Sequence, residues 1–316
     1  MDNKIFLHEL PDVKDLFLVI SEEMDINPSI VEKDYWVMHA LWGLQQQEYN
    51  FELKGGTSLS KGYDIINRFS EDIDVQIHPA PLLNLKTGKN HDNDKHIQRR
   101  REFFDGIADS LIISGLTFER DHEFDDKKMR GAGIRGLYNS HFQALEALKE
   151  GILFEVGLDK TTPFEEKDIS SWAYEKAMEA QVDVVDNRAK KVKCYLPEYT
   201  FVEKLQTIST KYRKNKNNQV ESPVNFIRHY YDLYMLLGSE RVIQFIQTDT
   251  FREYKKEKFG QADDPDIRRN PAFLLADVGE MEQFSGLYNK KSEIYFGNHP
   301  PFQEIIDKIK SYADLL

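Results

Sequence analysis

The segment from Phe51 to Ile77 constrains the fold of this chain more than any other part of the sequence. A short apolar run, Phe51-Glu52-Leu53, ends at Gly55-Gly56, and an alternating run follows from Asp72 to Ile77. This order predicts a strand, a glycine turn, a helix over Ser58–Phe69 and a second strand. Paired glycines let a backbone approach a phosphate group closely, and free amides at a helix start can hold its charge.

Two acidic residues in the second predicted strand indicate a metal site. Asp72 and Asp74 are two positions apart, so on a strand their side chains point the same way. Hard oxygen ligands on one face suit Mg²⁺ bound together with substrate phosphates, and two such ions can clamp the oxygens of an in-line displacement. Thr57 and Ser58 add hydroxyl donors. An Asp-x-Asp motif or a glycine pair by itself is typical of a solvated strand or a turn, but their combination favours nucleotidyl transfer.

The remaining sequence predicts an α+β protein with a mixed sheet. We divide it into a helical N-terminal segment (1–50), an α/β core (51–195) and a helical C-terminal domain (196–316). Asn27-Pro28 has the residue types of a helix start, and Gly131-Ala132-Gly133 suggests a flexible loop. The other predicted elements are strands at Ile134–Phe142 and Ile152–Leu158, helices at Ile97–Ser114, Tyr199–Tyr212 and Pro223–Leu237, a loop at 79–96, a partly helical connector at Asp159–Lys193 and a charged turn at Arg213–Asn218.

Composition excludes several classes of protein. The chain has 316 residues and a net charge of −12, which argues against non-specific DNA coating. The single cysteine, Cys194, excludes an internal disulfide and a cysteine-rich zinc site, and with no apparent signal peptide we expect a cytoplasmic protein without membrane spans. The Walker A, His-Glu-x-x-His and Gly-x-Ser-x-Gly motifs of common hydrolases are absent.

Four motifs in order resemble those of one family. In chain order they are Val31–Trp36, the two-part motif Gly55–Leu59 with Arg68–Asp74, then Tyr199–Leu205 and Arg228–Tyr234. This pattern is similar to that of the AbiEii/AbiGii (MenT-like) toxins, which are nucleotidyltransferases of the polymerase-β-like superfamily. The matches extend from about residue 30 to 237, and no motif matches the last eighty or so residues.

The resemblance implies a role for individual residues. Asp72 and Asp74 would bind the metal, and Lys204 would pair with the triphosphate, with Asp232 in the pocket beside it. Ser70 matches a position that becomes modified in some members of the family. The nucleotide phosphates would be contacted by the glycine turn and the residues after it, namely Gly55, Gly56, Thr57 and Ser58.

Several of these assignments have structural alternatives. Lys204 would otherwise be a surface lysine on an amphipathic helix, and Asp232 a partner of Arg228 four residues earlier. Lys33 and Asp34 have the alternative of a solvated helix face.

A third carboxylate is common among polymerase-β-like enzymes. Glu155 is the natural candidate because it alternates with apolar residues on a predicted strand. Asp159 competes with it, and the choice between the two stays open.

Taken together, the sequence predicts an Mg²⁺-dependent enzyme that transfers a nucleoside monophosphate from an NTP to an acceptor. The resemblance implies that the acceptor is tRNA, that the outcome is growth arrest in a toxin–antitoxin or abortive-infection system, and that a cognate antitoxin exists. The alternatives are transfer to a protein and a regulatory protein that binds GTP or ATP without turnover. Four basic clusters could grip RNA or could be solubility charges: 99–101, 127–130, 188–193 and 211–216.

Overall fold

The computed structural model describes residues 4–88, 90–143, 145, 148–159, 161, 163–217, 222–297 and 299–316. The chain divides into two compact units. The first consists of Met1–Tyr63 and Phe69–Tyr195, and the second of Asp64–Arg68 and Leu196–Leu316. The division into three parts made from the sequence stays a prediction.

The first unit begins with two helices, α1 (Val13–Met24) and α2 (Pro28–Gln46). The predicted start of α2 is confirmed: the Asn27 side chain accepts a hydrogen bond from the Ser29 amide at 2.9 Å, and Pro28 occupies the first turn. Almost every side chain from Ser29 to Leu44 is buried, so α2 is an internal helix of its unit. This burial encloses charged side chains that must be paired.

In the part of the chain described, seven strands form one mixed sheet in the order β3-β4-β5-β2-β1-β7-β6. Strand β2 pairs antiparallel with β1 and parallel with β5, and β1 pairs parallel with β7. The mixed sheet and the predominantly helical second unit confirm the α+β class. The strands are β1 (Phe51–Lys54), β2 (Asp72–Ile77), β3 (Thr117–Asp121), β4 (Gly131–Leu137), β5 (Ile152–Gly157), β6 (Phe164–Ile169) and β7 (Ala189–Tyr195).

The helix predicted over Ser58–Phe69 is wrong over its second half. After β1 a short helix α3 (Gly55–Thr57) continues as one π-helical turn (Ser58–Gly62). The following segment, Asp64–Arg68, belongs to the second unit, where the Asn67 carbonyl accepts a hydrogen bond from the Phe296 amide at 2.8 Å. Tertiary contacts of this segment therefore override the local apolar spacing.

The connector predicted for Asp159–Lys193 is partly helical, as α5 (Trp172–Glu179) confirms, but it also contains strand β6 and most of strand β7, which were not predicted. Strand β6 lies at the sheet edge, and four of its six residues are charged. An edge strand needs an apolar residue only where it faces the core, so its composition resembles that of a loop.

Strand β4 begins earlier than predicted and includes the supposed flexible loop at Gly131–Gly133. Gly133 pairs with Asp121 of β3, and a Cβ at Gly133 would lie 2.5 Å from the Asp121 carbonyl oxygen. The glycine therefore serves close strand packing here. Strand β4 ends at Leu137 instead of Phe142, and the helix predicted at Ile97–Ser114 is α4 (Asp94–Ser110).

The second unit is mainly helical. The charged turn predicted at Arg213–Asn218 is wrong up to Lys216, because helix α6 extends to that residue, and Asn218 lies outside the described residues. Arg213 pairs with Asp263 and Lys216 with Glu280, each at 2.7 Å, which supports the charged end of α6. The helices are α6 (Pro197–Lys216), α7 (Arg228–Leu236), α8 (Glu240–Phe245), α9 (Asp249–Lys258), α10 (Pro271–Leu274), α11 (Val278–Asn289) and α12 (Phe302–Ser311).

Within the ranges that the structure covers, the helices are too short or too polar to cross a membrane.

Candidate functional site

Three carboxylates lie side by side on the sheet of the first unit. Asp72 and Asp74 are alternate residues of β2, so both side chains point to one face. Strand β5 runs parallel to β2 with Glu155 directly beside Asp74, so Glu155 points to the same face. Asp72 is 3% exposed, whereas Asp74 and Glu155 are half-buried. The structure thus brings together the three carboxylates expected from the sequence to bind metal.

The competing candidate, Asp159, lies away from this group. It follows the end of β5, its side chain is exposed, and its amide donates to Gln76 Oε1 at 2.7 Å. Strand register therefore favours Glu155 as the third carboxylate.

Gly55 allows the Asp74 carboxylate to lie directly against the backbone. A Cβ at Gly55 would lie 1.8 Å from Asp74 Oδ2, and the φ angle of Gly55 is +73°. Both features exclude a larger residue. The glycine turn therefore positions a carboxylate, a function in addition to the predicted approach to phosphate.

Replacing Gly55 by Ala is expected to displace the Asp74 carboxylate. The strained φ angle costs about 1 kcal/mol or more, and the clash moves Asp74 away from the sheet face. We expect transferase activity to fall at least about 100-fold, because small misplacements of reacting groups have effects of that size. Activity and thermal unfolding should be measured with Gly106→Ala as the control, since a Cβ at Gly106 of α4 would meet nothing within 4 Å. Equal activity of Gly55→Ala and the wild type would contradict the assigned role of Asp74.

The hydroxyl groups of Thr57 and Ser58 face the interior of the first unit. Thr57 Oγ1 donates to the backbone carbonyl of Asp72, and both residues are at most 1% exposed. The Ser58 hydroxyl lies beside the buried Cys194 thiol, whose pKa is raised mainly by its burial. The Thr57 side chain therefore fixes the start of β2, and the predicted phosphate contacts of these two hydroxyls remain untested.

The other predicted phosphate-binding residues and Ser70 differ in their exposure to solvent. Gly56 is buried within α3, whereas Gly55 and Ser70 are partly exposed. Ser70 immediately precedes the Glu71-Asp72 pair, and its carbonyl is 3.5 Å from Thr57 Oγ1. The possible modification of Ser70 stays a prediction.

Lys149 places its ammonium against the carboxylates. Its Nζ lies 2.8 Å from both carboxylate oxygens of Asp72 and 3.9 Å from Glu155 Oε1. Its side chain is 30% exposed. The sequence gave no indication of this contact, because Lys149 lies outside every motif.

Lys33 and Glu71 hold the backbone of Lys149. The Lys149 amide donates to Glu71 Oε2 at 2.7 Å, and Lys33 Nζ donates to the Lys149 carbonyl and to Glu71 Oε2. Lys33 is 2% exposed; burial lowers its pKa, and the neighbouring Glu71 opposes this effect. The solvated-face alternative for Lys33 is therefore wrong.

Asp34 is likewise buried and not solvated. Its Oδ1 pairs with Lys61 Nζ at 2.5 Å, and its Oδ2 accepts from the Trp172 amide at 2.9 Å. Burial raises the pKa of Asp34, and Lys61 opposes this effect. Since Lys61 lies in the π-helical turn, Asp34 ties α2 to the turn that follows Gly55.

The predicted magnesium site would need substrate to complete it. Among the described residues, no group of three or more His, Cys, Asp or Glu side chains is arranged to hold a metal by itself. Mg²⁺ commonly takes only one or two protein carboxylates and completes its octahedron with phosphates and water. Asp72 and Asp74 fit that requirement.

The second unit contains a separate buried ion cluster. Arg68 makes a two-pronged contact with Asp232, with Nε–Oδ1 at 2.7 Å and Nη2–Oδ2 at 2.8 Å, and Lys204 Nζ lies 2.5 Å from Asp232 Oδ2. Their exposed fractions are 2%, 0% and 6%, respectively. Lys204 is therefore not a surface lysine, and Asp232 is held by residues outside its own helix.

Electrostatics keep the Asp232 carboxylate ionised. Burial would raise the pKa of Asp232, but Arg68 and Lys204 outweigh it and hold this pKa well below its usual range. Burial lowers the pKa of Lys204, and Asp232 opposes the change. His229 Nδ1 lies 3.4 Å from Lys204 Nζ, and burial followed by that ammonium lowers the His229 pKa to about 3. The imidazole is therefore neutral at physiological pH. The assignment of Lys204 to the triphosphate stays a prediction.

Sequence reasoning overlooked Arg68, although it belongs to one of the quoted motifs. The residue precedes Asp72 by four positions in a segment that was predicted to be helical, and no role was assigned to it. A fully buried arginine requires a paired anion, and Asp232 is 164 positions away. No local signal connects the two.

The basic clusters differ in their surroundings. Arg100 is 0% exposed and donates to the backbone carbonyls of Lys128, Lys86 and His91, so it stabilises the fold. Arg188 and Lys190 both pair with Asp186. These two clusters present less unpaired charge than their sequences suggest.

The fold and the site define an α+β protein with paired carboxylates on one face of a mixed sheet, next to a glycine turn. The chain matches the family model described as nucleotidyl transferase AbiEii toxin, type IV toxin–antitoxin system, over residues 36–308. This match covers most of the chain, and the protein belongs to that family. No curated protein matches the chain.

Proposed function

We propose that the first unit is a polymerase-β-like nucleotidyltransferase core that transfers a nucleoside monophosphate from an NTP to tRNA, with release of pyrophosphate. One observation carries this proposal: Asp72, Asp74 and Glu155 lie on one face of two paired strands, with the Asp74 carboxylate against the Gly55 turn. Membership of a nucleotidyl transferase toxin family supports the reaction type.

The carboxylates give this chain its chemistry. Asp72 and Asp74 would hold Mg²⁺, which when bound neutralises phosphate charge and aligns the attacking and leaving oxygens. Glu155 lies beside Asp74 and is half-exposed, and in this proposal it accepts the proton of an attacking hydroxyl. Gly55 keeps the Asp74 carboxylate against the backbone, and Thr57 fixes the start of β2.

The acceptor and the partner follow from the family. Type IV toxin–antitoxin membership implies a cognate antitoxin and a nucleotide substrate. We propose tRNA as the acceptor and growth arrest of the cell as the outcome. A protein acceptor and a regulatory role without turnover are outcomes of the test below.

Incubation with Mg²⁺, total tRNA and each α-labelled NTP in turn tests the proposal. We expect label on tRNA with one preferred nucleotide, none with Asp74→Asn, and none when EDTA removes the metal. Label on the protein itself would instead indicate self-modification, and Ser70 would be mapped first. NTP binding without any labelled product would contradict the proposed transfer and favour a regulatory role.

A further inference from the structure

Lys149 contacts two of the three carboxylates of the proposed metal site. Its ammonium contacts both oxygens of Asp72 and is also close to Glu155. Mg²⁺ binds carboxylate oxygens at about 2.0–2.1 Å, so an ammonium placed symmetrically between the two Asp72 oxygens blocks the direction from which the metal would approach. The Lys149 ammonium and a divalent cation therefore cannot both bind the Asp72 carboxylate from this direction at the same time.

The backbone of Lys149 is fixed while its side chain has room to move. Glu71 accepts from its amide, and the buried Lys33 donates to its carbonyl. The side chain is 30% exposed, and its ammonium lies 4.9 Å from the centre of the Phe124 ring. Rotation about the side-chain bonds can therefore remove the ammonium from Asp72 without a change in the backbone.

A charge argument explains why a cation is needed here. Asp72 is 3% exposed and has Asp74 and Glu155 beside it on the same face. Neighbouring carboxylates repel one another, and burial strengthens that repulsion. Without a counter-ion the group would be destabilised, and Lys149 supplies one positive charge.

We propose that Lys149 is a resident counter-ion of the carboxylate site, which it occupies in the absence of a divalent cation and leaves when Mg²⁺ binds. This inference rests on the proposed function of the site as a magnesium site. The expected consequence is direct competition between the Lys149 ammonium and the metal.

Binding of Mn²⁺ to the NTP-free full-length protein, followed by the loss of the free-ion EPR signal, tests the competition. If the ammonium occupies the carboxylates for about 90% of the time, it weakens the apparent affinity about tenfold. We therefore expect Lys149→Met to bind Mn²⁺ about tenfold more tightly than the wild type and Lys149→Arg to remain as weak as the wild type. Lys95→Met is the matched control, because Lys95 is exposed on α4. Mn²⁺ affinity of Lys149→Met equal to or weaker than that of the wild type would overturn the inference.

A second measurement uses the wild-type protein and does not depend on the folding of Lys149→Met. Acetylation of the wild-type protein with acetic anhydride, analysed by peptide mass spectrometry, reports how accessible each lysine amine is. Mg²⁺ should accelerate acetylation of Lys149 and leave that of Lys95 unchanged. The increase should disappear in Asp74→Asn. An unchanged Lys149 rate at saturating Mg²⁺ would contradict displacement.

These measurements separate the inference from the proposed function. Neither contains an NTP or an acceptor. Tight Mn²⁺ binding by Lys149→Met without any nucleotidyl transfer by the wild type would refute the function and leave the inference standing. Nucleotidyl transfer by the wild type together with unaltered Mn²⁺ binding by Lys149→Met would support the function and refute the inference.

Discussion

Replacing Asp74 by Asn is expected to reduce nucleotidyl transfer about 1,000-fold or more. The loss of one anionic metal ligand removes several kcal/mol of charge stabilisation, and each 1.4 kcal/mol corresponds to about a tenfold change in rate. Asn has nearly the same shape as Asp and still fits against Gly55, where a Cβ would lie 1.8 Å from Asp74 Oδ2. The initial rate of label transfer and the thermal unfolding midpoint should be measured together.

Asp74 is a better test position than Asp72. Asp72 is 3% exposed and pairs with Lys149, so its replacement also leaves a partly buried ammonium without that partner and affects folding. Asp109→Asn at the exposed end of α4 makes the same change in charge and should retain wild-type activity. A folded Asp74→Asn variant with more than a tenth of the wild-type rate would exclude Asp74 as a metal ligand.

The second large effect concerns stability. Asp232→Ala is expected to lower the free energy of unfolding by about 3–5 kcal/mol, the usual cost of removing one partner from a buried ion pair. The substitution leaves Arg68 and Lys204, which are 2% and 6% exposed, without this carboxylate. Urea denaturation followed by circular dichroism would measure the change.

Asp307→Ala provides the control for this prediction. Asp307 is exposed on α12 and accepts a hydrogen bond from Gln303 at 2.9 Å, so its loss should change stability by no more than about 0.5 kcal/mol. If Asp232→Ala unfolds at the same urea concentration as this control, the Arg68–Asp232–Lys204 cluster does not stabilise the second unit.

The site shows which parts of a structure can be predicted from local sequence. Strand β2 has the bounds Asp72–Ile77 that its alternation predicted, because successive side chains of a strand point to opposite faces of the sheet. That period alone placed Asp72 and Asp74 on one face. The assignment of Glu155 instead of Asp159 needed the register between β2 and β5, which depends on residues about eighty positions apart.

Charged residues were the least predictable. Lys33 and Asp34 looked like parts of a solvated helix face, yet both are buried and paired. An ionic partner distant in sequence leaves no periodic signal, and helix α2 is internal over nearly its whole length. The same reason explains why Arg68 and Lys149 were given no role.

The sequence by itself determined the α+β class, the start of α2, the glycine turn and the pair of aspartates on β2, because each depends on backbone preferences or side-chain periods within a few residues. Only the tertiary structure decided the path of Asp64–Arg68, the edge strand β6, and the partners of Asp72 and Asp232. Those features depend on burial and charge pairing between segments far apart in the chain. The free energy of such pairing is a property of the folded environment, which local sequence does not encode.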